Sequence, residues 1–206
     1  FSDGEFVSQR KAIREAIENP AHPYHDYILH IIHDIDPEVM KTLAVNFFIN
    51  ASLIGWSKQE ENRAKYNCNV PWAILLDPTS ACNLHCTGCW AAEYGNKLNL
   101  TFDEIDSIIQ QGKKLGVYMY IYTGGEPLTR KNDLIRLCEK HNDCVFLCFT
   151  NATLIDEKFA DEMLRVKNFI PAISLEGDEV STDSRRGQGT YQKVVRAMKL
   201  LHEKKL

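Results

Sequence analysis

From Pro71 onward the chain alternates short apolar runs with longer amphipathic ones, and this alternation limits the possible folds more than any other feature of the sequence. The short runs end in turn residues, and the longer runs place apolar residues at helical spacing. The four pairs are WAILLDPT with TFDEIDSIIQQGKKLG, VYMYIYTGGEP with NDLIRLCEKHN, CVFLCFTNATL with DEKFADEMLRVKN, and FIPAISLEG with TYQKVVRAMKLLHEKK. Continuous apolar strands need burial on both faces, which helices packed on a parallel sheet provide. The sequence therefore predicts an α/β fold.

The first third of the chain lacks this alternation. Residues 1–70 are predicted to form an α-helical N-terminal extension, and residues 71–206 the α/β core. In the extension, Phe6, Ile13 and Ile17 follow helical spacing, which places them on one face of a helix.

Several helix ends are marked by their residue types. Asp36 followed by Pro37 predicts a helix start, because an aspartate at the N-cap and a proline in the first turn both favour one. Thr101 and Glu104 have capping-box spacing, and Gly116 suits the end of the same helix.

The helix that starts at Pro37 is expected to run toward Trp56 through an apolar stretch. Polar residues interrupt the segment from Val39 to Trp56, so a buried or interfacial helix is favoured over one that spans a membrane. The stretch SKQEENRAKYN that follows is predicted to cap this helix or to link it to the core.

Charge and cysteine content narrow the possible partners and the compartment. The 24 basic and 28 acidic residues give a net charge of -4, which is not the basic footprint of a nucleic-acid-binding protein. Three of the seven cysteines fall within eight residues, a pattern that suits metal ligation in a reducing compartment better than a disulfide framework. No basic region followed by an apolar core marks a signal peptide at the N-terminus. We therefore expect a cytoplasmic protein with no nucleic-acid partner.

The clustered cysteines are Cys82, Cys86 and Cys89, in the CxxxCxxC segment CNLHCTGC. Three thiolates on one short loop can bind three corners of a 4Fe-4S cluster and leave the fourth iron without a protein ligand. Zinc is the alternative, although zinc sites normally show paired CxxC segments or a fourth Cys or His. Cys138, Cys144 and Cys148 fall in helix or strand patterns, where cysteine is commonly a core residue.

The segment CNLHCTGC, followed about 35 residues later by GGEP at the end of the next predicted strand, resembles the radical S-adenosylmethionine superfamily. The resemblance covers residues from about 72 to 206. Later strand ends agree with it, since Thr150-Asn151-Ala152 is similar to the TNG turn of that family and Ser174-Leu175-Glu176-Gly177 to its SLDG-type segment.

This resemblance implies a fold and an activity. The family's domain is a barrel of six βα units, so four units imply a partial parallel (β/α) barrel, and we expect the natural protein to continue beyond Leu206. The implied activity is reductive cleavage of S-adenosylmethionine to a 5′-deoxyadenosyl radical, which abstracts hydrogen from a substrate that the sequence does not identify. A peptide and an apolar, lipid-like molecule are the two candidate substrates, and a reductant such as flavodoxin or ferredoxin is the implied partner.

The resemblance also implies roles for single residues. Cys82, Cys86 and Cys89 would hold the 4Fe-4S cluster and so carry the catalytic chemistry. Gly124 and Gly125 would let the backbone approach the ligand.

The remaining implied contacts are to S-adenosylmethionine itself. Glu126 and nearby strand-end carbonyls would accept hydrogen bonds from its ammonium group, Ser174 and Glu176 would bind the ribose, and Arg186 would bind the carboxylate. Asn151 would line the same site.

The chain departs from the family at the adenine contact. The family carries an aromatic residue just before the third cysteine, whereas this chain has Gly88 there and Trp90 just after. Adenine would therefore meet either the ring of Trp90 or only the backbone at Gly88. A zinc-binding interaction module and a non-catalytic carrier of the cluster or of S-adenosylmethionine are the alternative functions.

Overall fold

Four parallel strands form one sheet in the order β1-β2-β3-β4 in the computed structural model of the chain, which describes residues 7–95 and 97–206. The strands are β1 (Ala73–Leu76), β2 (Met119–Tyr122), β3 (Val145–Thr150) and β4 (Phe169–Ile173). Each strand pairs with the next one along the chain, in parallel. The predicted α/β fold with a parallel sheet is confirmed, and the carboxyl ends of all four strands lie along one edge.

Between residue 7 and the first strand, three helices precede the sheet. They are α1 (Val7–Glu18), α2 (His25–Asp34) and α3 (Pro37–Tyr66), and α3 follows a π-helical path between residues 45 and 54. The Asp36 side chain accepts hydrogen bonds from the backbone N–H groups of Glu38 and Val39, which confirms the predicted helix start. Phe6 and the other residues of the segment 1–6 lie outside the described residues.

The polar stretch after Trp56 continues α3 to Tyr66 rather than forming a separate linker, and its last residue, Asn67, caps the helix in a left-handed conformation with φ of 50°. Its polar side chains have partners across the fold. Gln59 is fully buried, and its Nε2 donates to the carbonyl of Gly116 at 2.8 Å. Asn62 Nδ2 donates to the carbonyl of Lys114 at 3.4 Å. These hydrogen bonds to carbonyls elsewhere in the fold hold the polar stretch in place as helix. The local sequence pattern does not contain these contacts.

Helix α3 lies against the turns that precede β2 and β3, at the amino ends of the strands. Asn46 Nδ2 donates to the carbonyls of Asn142 at 2.8 Å and Cys144 at 3.0 Å, and Asn50 Nδ2 donates to that of Asp143 at 3.0 Å. By length and composition alone, α3 is sufficient to cross a membrane, and 22% of its most apolar window is buried in the fold. The helix therefore covers the edge of the sheet opposite to the strands' carboxyl ends.

Within residues 97–206 the structure has five further α-helices: α4 (Phe102–Leu115), α5 (Lys131–Lys140), α6 (Glu157–Val166), α7 (Glu179–Arg186) and α8 (Thr190–Glu203). Short 3-10 helices lie at Trp90–Tyr94 and Pro127–Arg130. The predicted capping box begins α4, since Thr101 Oγ1 accepts from the Glu104 N–H at 3.2 Å and Glu104 Oε2 accepts from the Thr101 N–H at 2.7 Å. Cys138 on α5 and Cys144 and Cys148 beside it are fully buried, as expected of core residues. Burial raises the pKa of all three thiols.

The contact between α3 and the end of α4 depends on two glycines. Gly116 ends α4 with φ of 95°, a backbone conformation that glycine adopts without strain. A Cβ atom on Gly116 would lie 2.5 Å from the carbonyl oxygen of Gly55 on α3, and a Cβ on Gly55 would lie 2.5 Å from the carbonyl oxygen of Gly116. The two backbones therefore approach more closely than any side chain allows.

We predict that Gly116→Ala lowers the free energy of unfolding by roughly 2–4 kcal/mol, because it adds an overlap with α3 to the strain of a left-handed alanine. Gly189→Ala is the matched control, since Gly189 also has a positive φ, of 76°, but a Cβ there would meet nothing within 4 Å. The control should lose only about 1 kcal/mol. Urea unfolding of both variants measures the difference, and equal losses would contradict the close contact.

Candidate functional site

The predicted site residues gather at the carboxyl edge of the sheet, around a cavity of about 260 Å³. The cysteine loop follows β1, and its three thiols line this cavity together with residues from the ends of β2, β3 and β4. Nearly all of the predicted residues take part: Cys82, Cys86, Cys89, Trp90, Gly124, Gly125, Glu126, Asn151, Ser174 and Arg186. Gly88 and Glu176 are not among the lining residues. Thr150, from the turn that resembles TNG, and Arg185, the second candidate beside Arg186, do line the cavity, as do Thr123 and Phe149, which the sequence prediction omitted.

Gly124 and Gly125 make room for the protein chain itself. A Cβ on Gly124 would lie 2.5 Å from the carbonyl oxygen of Thr79, and one on Gly125 would lie 2.3 Å from that of Ala81. The backbone N–H groups of Gly125 and Glu126 donate to these same carbonyls at 3.0 and 2.8 Å. The segment leading into the cysteine loop therefore occupies the space where their side chains would be, and this contact alone requires glycine at both positions. Both glycines also line the cavity.

Glu126 connects the ends of β2 and β3. Its side chain is only 1% exposed. Oε1 accepts hydrogen bonds from the Leu128 N–H at 3.0 Å and the Thr150 hydroxyl at 2.7 Å, and Oε2 accepts from the Asn151 N–H at 2.7 Å. Burial raises the pKa of the carboxyl group, and the hydrogen bonds from Asn151, Thr150 and Leu128 oppose this rise. These bonds make Glu126 a structural brace of the site as well as part of its lining.

Asn151 reaches the cysteine loop through its side chain. Its Nδ2 donates to Asn83 Oδ1 at 2.9 Å, and Asn83 Nδ2 donates to the Thr153 hydroxyl at 2.8 Å. Asn83 follows Cys82 directly in the chain, and the sequence prediction did not single it out. Its position next to a clustered cysteine was the available signal.

Two arginines hold Glu176 at the rim of the cavity. Arg186 Nε and Nη2 donate to Glu176 Oε1 at 3.0 and 2.6 Å, and Arg185 Nη1 donates to Oε2 at 2.9 Å. Hydrogen bonds from Arg186 and Arg185 lower the pKa of Glu176. The carbonyl of Arg185 also accepts from the Thr87 N–H at 2.7 Å, which ties α7 to the cysteine loop. Glu176, expected to bind the ribose of S-adenosylmethionine, and Arg186, expected to bind its carboxylate, are thus paired with each other.

The thiols of the cysteine loop are suited to soft metal ions. Burial raises the pKa of Cys82, although the Leu84 N–H donates to its sulfur at 3.4 Å, and burial also raises the pKa of Cys86, which Arg186 opposes. In the described part of the chain, no three His, Cys, Asp or Glu side chains are arranged as ligands of one metal ion. Three thiols that line one cavity fit an iron–sulfur cluster, in which each thiolate binds its own iron.

Trp90 lines this cavity and also a second one of about 550 Å³, as do Gly124 and Gly125. The second cavity also contains Asp77, Tyr94 and Lys97, and burial raises the pKa of Asp77. Trp90 is 59% exposed and packs edge-on against Tyr94, with ring centroids 5.9 Å apart. Gly88 has φ of 69°, and a Cβ there would meet nothing within 4 Å. The exposed ring of Trp90 therefore provides an aromatic surface beside the cysteine loop, and Gly88 provides none.

Comparison with known proteins gives one consistent result. The family described as the Radical SAM superfamily matches residues 76–206. AdoMet-dependent heme synthase of Methanosarcina barkeri is 27% identical over 141 residues, 66% of this chain and 40% of that protein. GTP 3′,8-cyclase of Clostridium perfringens is 31% identical over 101 residues, 46% of this chain and 31% of that protein.

A solved structure agrees with these relatives. Native anSMEcpe with bound AdoMet and Cp18Cys peptide matches with a TM-score of 0.55 and 28% identity, over 65% of this chain and 40% of that chain. The likeness confirms the predicted partial parallel barrel. This chain spans about two fifths or less of the length of each of these proteins.

We predict that Glu126→Gln lowers the free energy of unfolding by about 1–3 kcal/mol. In the wild type both carboxylate oxygens accept hydrogen bonds, whereas in the variant the amide NH2 group replaces one oxygen and faces an N–H or O–H donor without an acceptor. Glu203→Gln, at an exposed position on α8, is the control and should change stability by less than about 0.5 kcal/mol. Chemical unfolding of the protein as purified measures both variants. An equally stable Glu126 variant would show that this carboxylate does not brace the strand ends.

Proposed function

Because this chain belongs to the radical SAM superfamily, a family of enzymes, we propose that it carries the part of such an enzyme that binds the cluster and S-adenosylmethionine. The observation that carries the proposal is the shared cavity, in which three thiols from one loop face the ends of the next three strands. The activity of the whole protein is part of the proposal, since the chain spans a minority of the length of its relatives.

We propose that Cys82, Cys86 and Cys89 hold a 4Fe-4S cluster. When bound and reduced, this group supplies the electron that cleaves S-adenosylmethionine to methionine and a 5′-deoxyadenosyl radical, which takes a hydrogen atom from the substrate. The protein's own contribution is placement. The loop is fixed before Cys82 by the hydrogen bonds to Thr79 and Ala81, and between Cys86 and Cys89 by the bond from Thr87 to Arg185.

The amino-acid portion of S-adenosylmethionine has two complementary partners in the cavity. A carboxylate has about four positions at which it accepts hydrogen bonds, and Glu126 uses three of them within the protein. The fourth is available to an ammonium group. Arg186 donates to Glu176 through Nε and Nη2, and its Nη1 is suited to bind the carboxylate of the same ligand.

The adenosine portion is proposed to lie between Trp90 and the end of β4. Ser174 lines the cavity there and offers a hydroxyl to the ribose, and Glu176 reaches the ribose only by giving up part of its pairing with Arg185 and Arg186. Trp90 supplies a flat apolar face for adenine, in place of the aromatic residue expected where Gly88 stands.

We propose a peptide as the substrate class. Support comes from the likeness to anSMEcpe, whose solved structure holds a peptide together with AdoMet. The lipid-like alternative rested on the apolar part of α3. That helix lies at the amino ends of the strands, where Asn46 and Asn50 bind the turn before β3, and so contributes nothing to the cavity. An electron donor such as flavodoxin or ferredoxin, in the cytoplasm, completes the proposed reaction.

Anaerobic reconstitution with iron and sulfide tests the cluster. The loaded protein should contain close to four irons and four sulfides per chain and show the broad visible absorbance of a 4Fe-4S cluster. Cys82→Ala, Cys86→Ala and Cys89→Ala should each abolish most of the bound sulfide. Cys68→Ala is the control, since Cys68 is exposed and precedes β1. Bound zinc without sulfide would instead support the interaction module.

Arg186→Ala should weaken binding of S-adenosylmethionine by the loaded protein about tenfold or more, because a charge-assisted hydrogen bond contributes about 1.5–3 kcal/mol. Equilibrium dialysis with labelled ligand measures the dissociation constant. Arg196→Ala, at an exposed position on α8, should leave it unchanged. Equal affinity of the Arg186 variant and the wild type would remove Arg186 from the ligand site.

A further inference from the structure

We propose that Asn83 and Asn151 form a positioning pair that fixes Cys82 in the geometry needed to bind its iron, an inference that rests on the proposed cluster. The direct observation is the hydrogen bond from Asn151 Nδ2 to Asn83 Oδ1, at 2.9 Å. Asn83 adjoins Cys82 in the chain, so a restraint on the Asn83 side chain restrains the backbone that carries the Cys82 thiol. This gives Asn151 a role different from the ligand contact expected of it.

The Cys82 segment is held from both sides. On the preceding side, the Ala81 carbonyl accepts from the Glu126 N–H at 2.8 Å. On the following side, the Asn83 side chain accepts from Asn151 and donates to Thr153 at 2.8 Å. Residues 82–89 of the cysteine loop lie outside regular helix or strand, so fixing their backbone costs conformational entropy that helix or strand hydrogen bonds do not offset. The hydrogen bonds of the Asn83 side chain therefore decide whether the Cys82 thiol has one position or several.

The Asn151 side chain is committed to the protein rather than to a ligand. Its Oδ1 accepts from the Thr153 N–H at 3.0 Å and the Thr153 hydroxyl at 2.7 Å, while its Nδ2 donates to Asn83. Its backbone N–H donates to Glu126 at 2.7 Å. Asn151 is only 6% exposed. One residue thus joins the end of β3, the Glu126 carboxylate and the cysteine loop, and among the described residues its hydrogen bond to that loop is the one to Asn83.

The first test uses the protein without a cluster. Thiol alkylation by iodoacetamide under anaerobic conditions, followed by peptide mass spectrometry, gives a separate rate for each cysteine. In Asn83→Ala and in Asn151→Ala, Cys82 should react about threefold faster or more, in line with the coupling energies of residues in one hydrogen-bond network. The rates at Cys68 and Cys89 should not change. Asn132→Ala, an exposed asparagine on α5, is the matched control.

The double variant Asn83→Ala/Asn151→Ala separates positioning from ligand binding. If Asn151 acts through Asn83, the double variant should show the Cys82 rate of the single variants and no further increase. Additive effects would overturn the proposal. An unchanged Cys82 rate in folded Asn83→Ala would overturn it as well, and circular dichroism establishes folding. Thr153→Val, which removes the hydroxyl bonded to both asparagines, is the second variant if Asn151→Ala does not fold.

The second test uses the reconstituted protein. Iron release to a chelator should be faster in both single variants, and the electron paramagnetic resonance spectrum of the reduced cluster should broaden. In Asn83→Ala, whose altered residue does not line the cavity, the affinity for S-adenosylmethionine per loaded cluster should be unchanged. Lower affinity caused by Asn151→Ala in the Asn83→Ala background would make Asn151 a ligand contact instead. If the wild type takes up neither iron nor sulfide, the proposed function fails, and the alkylation rates still decide whether the pair positions Cys82.

Discussion

The close contact between the Gly124–Gly125 turn and the backbone of residues 79–81 is the constraint on which the rest of the site depends. The two glycines and the following N–H groups bring the end of β2 against the segment that enters the cysteine loop, with Cβ positions only 2.3–2.5 Å from backbone oxygens. No other residue type fits there without moving one of the two segments. Because Cys82 follows this segment directly, the position of the first thiol is set by a neighbouring strand.

The carboxyl edge of the sheet forms the cavity, and the amino edge is covered by α3. At the carboxyl edge, strand ends contribute polar groups to a cavity, and these groups are held by bonds such as those of Glu126. At the amino edge, α3 donates side-chain N–H groups to the carbonyls of the turns before β2 and β3, through Asn46, Asn50 and Gln59. Satisfying these carbonyls removes the cost of burying them. The candidate site therefore lies at one edge of a sheet whose opposite edge is covered by α3.

Much of the fold was predictable because its signals are local. Apolar runs identified the strands, and Asp36, Thr101 and Glu104 marked helix starts that the structure has at those places. The gathering of the site residues followed from a general property of parallel sheets, whose carboxyl ends meet at one edge. By contrast, the pairing of Glu176 with Arg185 and Arg186, the extension of α3 to Tyr66, and the role of Asn83 depend on which side chains meet across the fold. A linear pattern does not contain that information.

The burial of Cys138, Cys144 and Cys148 limits which thiols are accessible to the proposed cluster. Their thiols are sealed in the core with their pKa values raised, so they stay protonated and out of reach of incoming iron, sulfide or oxidants. Of the seven cysteines, only the loop thiols and Cys68, at the other end of β1, meet solvent. For the proposed cluster, the folded chain thus offers the three loop thiols as its clustered, accessible sulfur donors.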